Sequence, residues 1–253
     1  MKLALLGYGR MGREVERVAP ARDHQIVVRL DIDDNEHGAG ITRERFAGVD
    51  TAIDFSQPLA VLDNVDRATQ IGIPMVIGTT GWDEHLNDVR RMVEQRGAAL
   101  VYGANFSVGA NLFFRLAEHA ARLFDAFDEY DPYVLEHHHR DKIDTPSGTA
   151  LRVAELVVNA SRRKSRLQTG NPTGAIDPDA LHVASLRAGG AFGEHRVGFD
   201  SGADAVQLVH SARGREGFAR GALLAAEWIH DKAGFFEFGA VLDEIAGSAD
   251  GSH

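Results

Sequence analysis

Residues 2–12 constrain the fold more than any other stretch. The apolar run Lys2–Leu6 has the composition of a buried strand. It passes without a linker into Gly7-Tyr8-Gly9-Arg10-Met11-Gly12 and then into a helical pattern that reaches Val18. A strand, a G-x-G-x-x-G turn and a helix in that order open a βαβ unit. The glycines permit the tight turn and let the backbone approach a pyrophosphate, which would sit on the helix N-terminus. From these residues alone, a glycine-rich turn without a ligand stays open as the alternative.

Ile26–Leu30 reads as a second strand ending at Asp31. In a dinucleotide site a carboxylate about twenty residues beyond the glycines accepts hydrogen bonds from the adenosine ribose. Ile32, Asp33 and Asp34 follow, so a 2′-phosphate there would meet negative charge, and NADH is expected to be preferred to NADPH. Arg10 could still reach such a phosphate, whereas alternation places Arg29 on the other face. Thr51–Phe55, Met75–Gly78 and Ala98–Gly103 are further buried-strand candidates, separated by helical patterns at Leu59–Ile71 and Glu84–Arg96. That alternation predicts an α/β fold with a Rossmann-type, doubly wound parallel sheet, which binds ligands beyond the carboxyl ends of its strands. Those ends carry Ser56-Gln57-Pro58, Gly78-Thr79-Thr80-Gly81 and Ala104-Asn105-Phe106-Ser107. The threonines are suited to ribose or nicotinamide; Asn105 and Phe106 could hold a carboxamide and pack on its ring. Each stretch taken singly is also an ordinary loop.

Val108–Phe124 is a long amphipathic helix, placed as a bridge into a second domain. Tyr133-Val134-Leu135 then reads as a strand running into Glu136, three histidines (His137, His138, His139), Arg140, Asp141, Lys142 and Asp144. Thr145-Pro146-Ser147-Gly148-Thr149 resembles a helix start, with a capping hydroxyl and Pro in the first turn, leading into a helix to Ala160. Imidazoles, an ammonium and a helix N-terminus within one stretch suit proton donation beside a carboxylate. A solvated polar loop is the competing reading. A zinc site is disfavoured, because adjacent strand histidines point to opposite faces and no HExxH spacing occurs. Further on, Ser161–Ser165 reads as a solvated basic helix end and Gln168–Pro178 as a loop. His182–Arg187, Glu194–Phe199 and Ala205–Ser211 read as an antiparallel meander, which would leave one sheet face for oligomerisation to cover. Phe218–Lys232 is an Ala/Leu-rich helix. Phe236 and Phe238 in the tail need cover, and the terminal SADGSH is expected to be loosely held.

The formal net charge of −10 disfavours nucleic acid and acidic membranes as partners. With no cysteine, disulfides and thiolate chemistry are excluded. No stretch has the apolar length of a membrane span or a signal peptide, so a soluble, cytoplasmic protein is expected.

Seven ordered pieces carry a family resemblance over nearly the whole chain. They are GYGRMGRE at 7–14, DFSQP at 54–58, VIGTTG at 76–81, ANFSVGAN at 104–111, EHHHRDKIDTPSGTA at 136–150, RAGG with GEH at 187–195, and SARGREGFARGAL at 211–223. The sequence resembles the 4-hydroxy-tetrahydrodipicolinate reductase (dihydrodipicolinate reductase) family of the diaminopimelate route to lysine. The resemblance implies a dinucleotide-binding domain at 1–107 and a mixed α/β substrate-binding and tetramerisation domain at 108–214. Residues 215–253 would return to the first domain. It makes His138 the acid/base residue. Lys142 becomes a substrate contact and possible proton donor, and His139, Ser147, Gly148 and Thr149 become substrate contacts. Gly7, Gly9, Arg10, Met11, Gly12, Asp31, Gly78, Thr79, Thr80, Ala104, Asn105, Phe106 and Arg215 fall on cofactor positions. The implied reaction is reduction of a cyclic dicarboxylate imine by NADH or NADPH in a homotetramer without a metal. His137 matches no required position. Thr145 replaces a commoner alanine, the segment from Asp31 to Thr51 is short, and Ile32 stands where some members carry arginine. Two rival readings are a dehydrogenase of the homoserine or aspartate type and a catalytically inactive nucleotide sensor. The first gives no reason for the HHxxK and PSGTA pairing, and the second would be expected to have lost His138 or Lys142.

Overall fold

The computed structural model describes residues 1–250, with side chains up to residue 247. The first part of the chain forms β1 (Lys2–Leu6), α1 (Arg10–Val18), β2 (Gln25–Leu30), β3 (Thr51–Asp54), α2 (Val61–Ile71), β4 (Met75–Ile77), α3 (Leu86–Gln95) and β5 (Ala99–Tyr102). There follow α4 (Val108–Phe124), β6 (Asp131–His138), α5 (Gly148–Ala160), β7 (Arg166–Thr169), β8 (Ala180–Arg187), β9 (Gly193–Asp200) and β10 (Ala205–Ala212). The chain closes with α6 (Glu216–Ile229), β11 (Gly234–Glu237) and α7 (Phe238–Asp250). Of the terminal SADGSH, the first three residues end α7 and the last three lie outside the described residues. Two compact units result: Met1–Val108 together with the chain from Arg215 onward, and Gly109–Gly214.

The first unit is a six-stranded, all-parallel sheet of order β11-β5-β4-β3-β1-β2. Successive strand residues serve opposite faces, and both faces are covered. Leu3, Leu5, Ile53, Val76 and Val101 pack with α1, α6 and α7. Ala4, Leu6, Ala52, Met75, Ile77 and Leu100 pack with α2 and α3. Burial on both sides explains why these strands read as continuous apolar runs rather than alternating ones. The sixth strand, β11, was not legible as a strand in the sequence. It supplies the cover that the tail aromatics need: Phe235 stacks on Tyr102 at 4.6 Å, Phe236 meets Trp228 at 4.9 Å, and Phe238 lies 4.5 Å from Phe106. Between β2 and β3 the short link forms only two 3-10 turns, Ile32–Asp34 and Glu36–Gly38, so β2 is the sheet's edge.

The second unit is a mixed five-stranded sheet of order β10-β9-β6-β8-β7, with α4 and α5 packed on one face through Phe113, Ala117, Val153 and Val157. Of the meander expected from the sequence, β9 and β10 do pair antiparallel, but the β8–β9 pairing does not occur. β8 and β9 are not neighbours, because β6 lies between them, parallel to β8 and antiparallel to β9. The glycine-rich turn after β8 therefore passes over the end of β6 instead of closing a hairpin. Ala188 N–H donates to the His138 carbonyl and His139 N–H to the Ala191 carbonyl. β7 was likewise not expected, and its last two residues fall in the stretch read as a loop from Gln168.

The basic run at 161–165 is not a solvated helix end. Lys164 is buried, pairs with Asp131 at 2.6 Å and donates to the Pro178 and Ala180 carbonyls. Asp125 accepts from Ser161, Arg162 N–H and the Arg162 guanidinium, a set that outweighs its burial and holds its carboxyl far below the usual range. The run ties α4 and α5 to the strand edge.

Candidate functional site

In the first unit the strand ends define one level. Beyond the strands proper, Gly7 N–H donates to Leu30 O, Phe55 N–H to Leu6 O, Gly78 N–H to Asp54 O and Gly103 N–H to Ile77 O. Each ladder thus runs one residue further before the loops 7–9, 31–40, 55–57, 78–81 and 103–107 depart from a common edge. Gly7 has φ +86°, and a side chain there would strike the Phe55 carbonyl; one at Gly12 would strike the Gly7 carbonyl. Those two glycines are required by the chain itself. Gly9 is different, because a Cβ there would meet nothing within 4 Å, and it caps α1 with no side-chain hydrogen bond. The N-terminal N–H groups of α1 therefore face open space at a residue with no side chain, which fits a pyrophosphate.

The remaining expected cofactor residues divide. Arg10, Asp31, Thr80 and Ala104 are exposed at the loops, Met11 packs on the core beneath, and Arg215 is the N-cap of α6. Asp31 accepts from Ile32 N–H at 3.1 Å. Arg29 is engaged by Glu16 and sits over the Tyr8 ring. Two side chains, Phe106 and Thr79, are directed inward, against expectation. Phe106 is 1% exposed and packs between Phe55 and Phe238, so its ring belongs to the core and only its backbone can face a ligand. The Thr79 hydroxyl is buried and donates to Asp54 at 2.8 Å. Asn105 Oδ1 accepts from Ser107 N–H at 2.8 Å. A run of loop residues reveals that it lies at the sheet edge, but not which way each side chain turns.

In the second unit β6 alternates, burying Val134, Glu136 and His138 on the helix-packed side and turning Tyr133, Leu135 and His137 to the other. His137 Nε2 lies 3.1 Å from the Ala188 carbonyl. Strand register sets Glu136 opposite His195 of β9 and Ser185 of β8, with His138 opposite Arg187. Glu136 is fully buried. Its Oε1 accepts from Ser147 N–H (2.9 Å), Ser185 Oγ (2.7 Å) and Arg187 (2.8 Å). Its Oε2 stands 2.9 Å from His138 Nδ1 and 3.9 Å from His195 Nε2. Burial pushes this carboxyl up, but Ser147, Arg187 and Ser185 outweigh it and hold it at about 2. Glu136 is therefore an anion at any working pH.

That anion organises its surroundings. Burial lowers the pKa of His138; Glu136 opposes the shift, and Lys142 and Arg187 add to it. Burial, with His138 beside it, takes His195 down to about 4, so His195 is neutral near neutral pH. Ser147 caps α5: its hydroxyl accepts from Ala150 N–H at 3.2 Å and lies 3.2 Å from His195. Pro146 precedes the helix instead of occupying its first turn. Ser147 is 2% exposed, so its side chain serves the fold, while Gly148 and Thr149 form the first open turn. A Cβ on Gly148 would meet nothing within 4 Å. Lys142 Nζ holds the Asp144 carboxylate at 2.7 Å, and Arg187 fixes the same loop through the Asp144 carbonyl at 2.6 Å. His139 is half-buried at the end of β6.

Glu136, His138 and His195 also have the spacing of metal ligands. Arg187 on Glu136 and Lys142 beside His138 put two fixed positive charges against any cation there. Glu136, Ser185, Arg187 and His195 were not singled out from sequence. Arg187 and His195 stand in the RAGG and GEH stretches, yet only the β8-β6-β9 register brings them to Glu136.

A Rossmann-type sheet with a bare, glycine-lined helix N-terminus, joined in one chain to a mixed unit bearing a buried imidazole, a lysine and a second helix N-terminus, defines a class: two-unit, nucleotide-dependent oxidoreductases. The comparisons with known proteins narrow it. Residues 1–106 match the family model for the N-terminus of dihydrodipicolinate reductase, and residues 109–242 match the one for its C-terminus. The chain belongs to the dihydrodipicolinate reductase family. It is 36% identical over 245 residues to 4-hydroxy-tetrahydrodipicolinate reductase of Christiangramia forsetii, covering 97% of this chain and 99% of that one. With the enzyme of the same name from Chromobacterium violaceum it shares 38% over 256 residues, 92% and 95% of the two chains. Among solved structures, the dipicolinate-bound dihydrodipicolinate reductase of Paenisporosarcina sp. TG-14 superposes with a TM-score of 0.75 at 23% identity, covering 94% of this chain and 97% of that one.

Proposed function

We propose that this protein reduces 4-hydroxy-tetrahydrodipicolinate, or its dehydrated form, to tetrahydrodipicolinate in the diaminopimelate route to lysine. The observation that carries the reading is the cluster on β6 and α5. His138 stands beside an anchored anion, next to Lys142 and a helix N-terminus whose first residue has no side chain. The dipicolinate bound to the Paenisporosarcina reductase is a planar ring with two carboxylates, the ligand class such a cluster fits.

Bound reduced nicotinamide dinucleotide supplies the hydride. The chain's own residues do the rest. Gly148 and Thr149 N–H groups bind one substrate carboxylate at the α5 N-terminus. Lys142, released from Asp144, offsets the dianion's charge and the further negative charge that develops on the ring nitrogen system. His138 donates the proton that completes the reduction, and Glu136 steadies the imidazolium before transfer. His139 is a further contact to the same substrate. Purified protein with synthase-generated substrate should oxidise NADH. No oxidation with either nucleotide, in protein that binds dipicolinate, would overturn the enzyme reading in favour of a sensor.

Nucleotide choice follows from charge. Asp31, Asp33 and Asp34 surround the expected ribose site, Arg29 is engaged by Glu16, and Ile32 between them is 64% exposed. kcat/KM should be higher with NADH than with NADPH, and Ile32→Arg should raise NADPH use. Equal efficiency in the wild type would assign the phosphate to Arg10 or another cation.

The second sheet's face opposite α4 and α5 carries Leu135, Leu186 and Val209, the last two half exposed and covered by no helix of their own unit. Such a face supports self-association to a homotetramer. Light scattering at micromolar concentration should give four chains, and a monomer would refute it.

A further inference from the structure

Asn64 lies on α2 and is fully buried, yet none of the chemistry above uses it. Its amide nitrogen donates to Asp54 Oδ2 at 2.9 Å, and its oxygen accepts from Asn35 at 2.7 Å. Asn35 in turn accepts from Gly40 N–H at 3.1 Å. At the other end, Asp54 Oδ1 accepts from Ser56 N–H (2.8 Å), Ser56 Oγ (2.6 Å) and Thr79 Oγ1 (2.8 Å). One continuous polar chain thus crosses the loops that leave β2, β3 and β4. Asp54 is a wholly buried carboxylate whose donors are all uncharged. Burying a polar group costs free energy that its hydrogen bonds offset only when every partner is in place.

Packing does not require this chain. α2 is already seated on the sheet by Val61, Val65 and Ala68, and an aliphatic side chain at 64 would avoid the desolvation cost. The network sits instead at the carboxyl edge of a parallel sheet, where open α/β folds bind ligands. It also compensates for the short link after Asp31. That segment has no strand to hold it, and it lies directly on α2: a Cβ at Gly38 would come within 2.9 Å of the Asp63 carbonyl.

The geometry points to Asn64 as a positioning residue for nucleotide binding, which braces the 31–40, 55–57 and 78–80 loops through Asn35, Asp54 and Thr79. The inference rests on the nucleotide reading of the first unit. The test is NADH affinity by fluorescence titration in Asn64→Leu, Asn35→Ala and the double variant, with melting temperatures alongside. Asn64→Leu should raise the Kd for NADH about tenfold and Asn35→Ala about threefold, fold-changes of the size that one or two lost hydrogen bonds give. Because both act through one chain, the double variant should bind no worse than Asn64→Leu. The KM for NADH should rise in step, whereas a purely structural role would lower the melting temperature and the active fraction without moving either constant. An unchanged Kd in folded Asn64→Leu overturns the brace, and so does a double variant whose losses multiply. If Asn64→Leu fails to fold, Asn35→Ala decides alone, and an unchanged Kd there is equally fatal. Wild-type protein that binds neither NADH nor NADPH would sink the nucleotide reading itself, and this inference with it.

Discussion

His138→Gln is expected to lower kcat by about 100- to 10,000-fold with little change in KM, because the proton is needed mainly in the transition state. The fold survives the change, since glutamine fills similar space and Glu136 keeps its three donors on Oε1. The pH profile makes the prediction specific. A proton donor must be protonated, so the rate falls as pH rises through its pKa. Burial places the His138 pKa below the usual 6.5, with Glu136 opposing and Lys142, Arg187 and His195 around it. In kcat/KM, which reports the free enzyme, the falling limb should lie below 6.5. In kcat the bound dianion stabilises the imidazolium, and the limb should move to higher pH. His138→Gln should abolish the limb in both. His137→Gln should leave both constants close to wild type, because His137 is on the opposite face of β6. A silent His138→Gln beside a damaging His137→Gln would put the proton donor on that other face.

What the sequence disclosed and what it withheld divide along a physical line. The parallel sheet was legible because strands buried on both faces must be apolar throughout, and the glycine turn because Gly7 and Gly12 have no alternative to glycine. The start of α5 at Gly148 was legible from its capping hydroxyl, though Pro146 lies before the helix and not in its first turn. β11 and β7 were not, being four-residue edge strands with no periodicity to detect. The strand order of the second sheet also lay beyond reach, since local pattern does not say which strand enters between β8 and β9. That order decides the chemistry: without β6 in the middle, Glu136 would meet neither Arg187 nor His195. Side-chain direction at loops was the other blind spot. Phe106, Thr79 and Ser147 sit in stretches expected to face a ligand, but their side chains are turned into the protein, and only close contacts reveal that.

Gly148→Val should raise the KM for the dicarboxylate substrate roughly 10- to 100-fold, the range expected for a lost charge-assisted hydrogen bond. The argument depends on what glycine does at this position. Its backbone is outside the left-handed region, so a β-branched residue is not strained, and a Cβ there meets no protein atom within 4 Å. Valine should therefore cost no stability, and replacing glycine in a helix slightly favours the fold. The side chain would instead fill the approach to the first N–H groups of α5, where the substrate carboxylate belongs. NADH binding and melting temperature should be unchanged while the KM climbs. Thr149→Val, which deletes only a hydroxyl, should weaken substrate binding by roughly 1–3 kcal/mol. Lys142→Ala should harm kcat and KM together, because its ammonium serves the bound dianion and the charge that develops on reduction. Asp144 now occupies that ammonium and is drawn also by Gly148 N–H, so an incoming carboxylate has a resident one to displace. Titrating pyridine-2,6-dicarboxylate into each variant in the presence of NADH separates these effects. Undiminished binding in Gly148→Val would mean that the anion site lies elsewhere, and that the open turn at the start of α5 is not the substrate cradle.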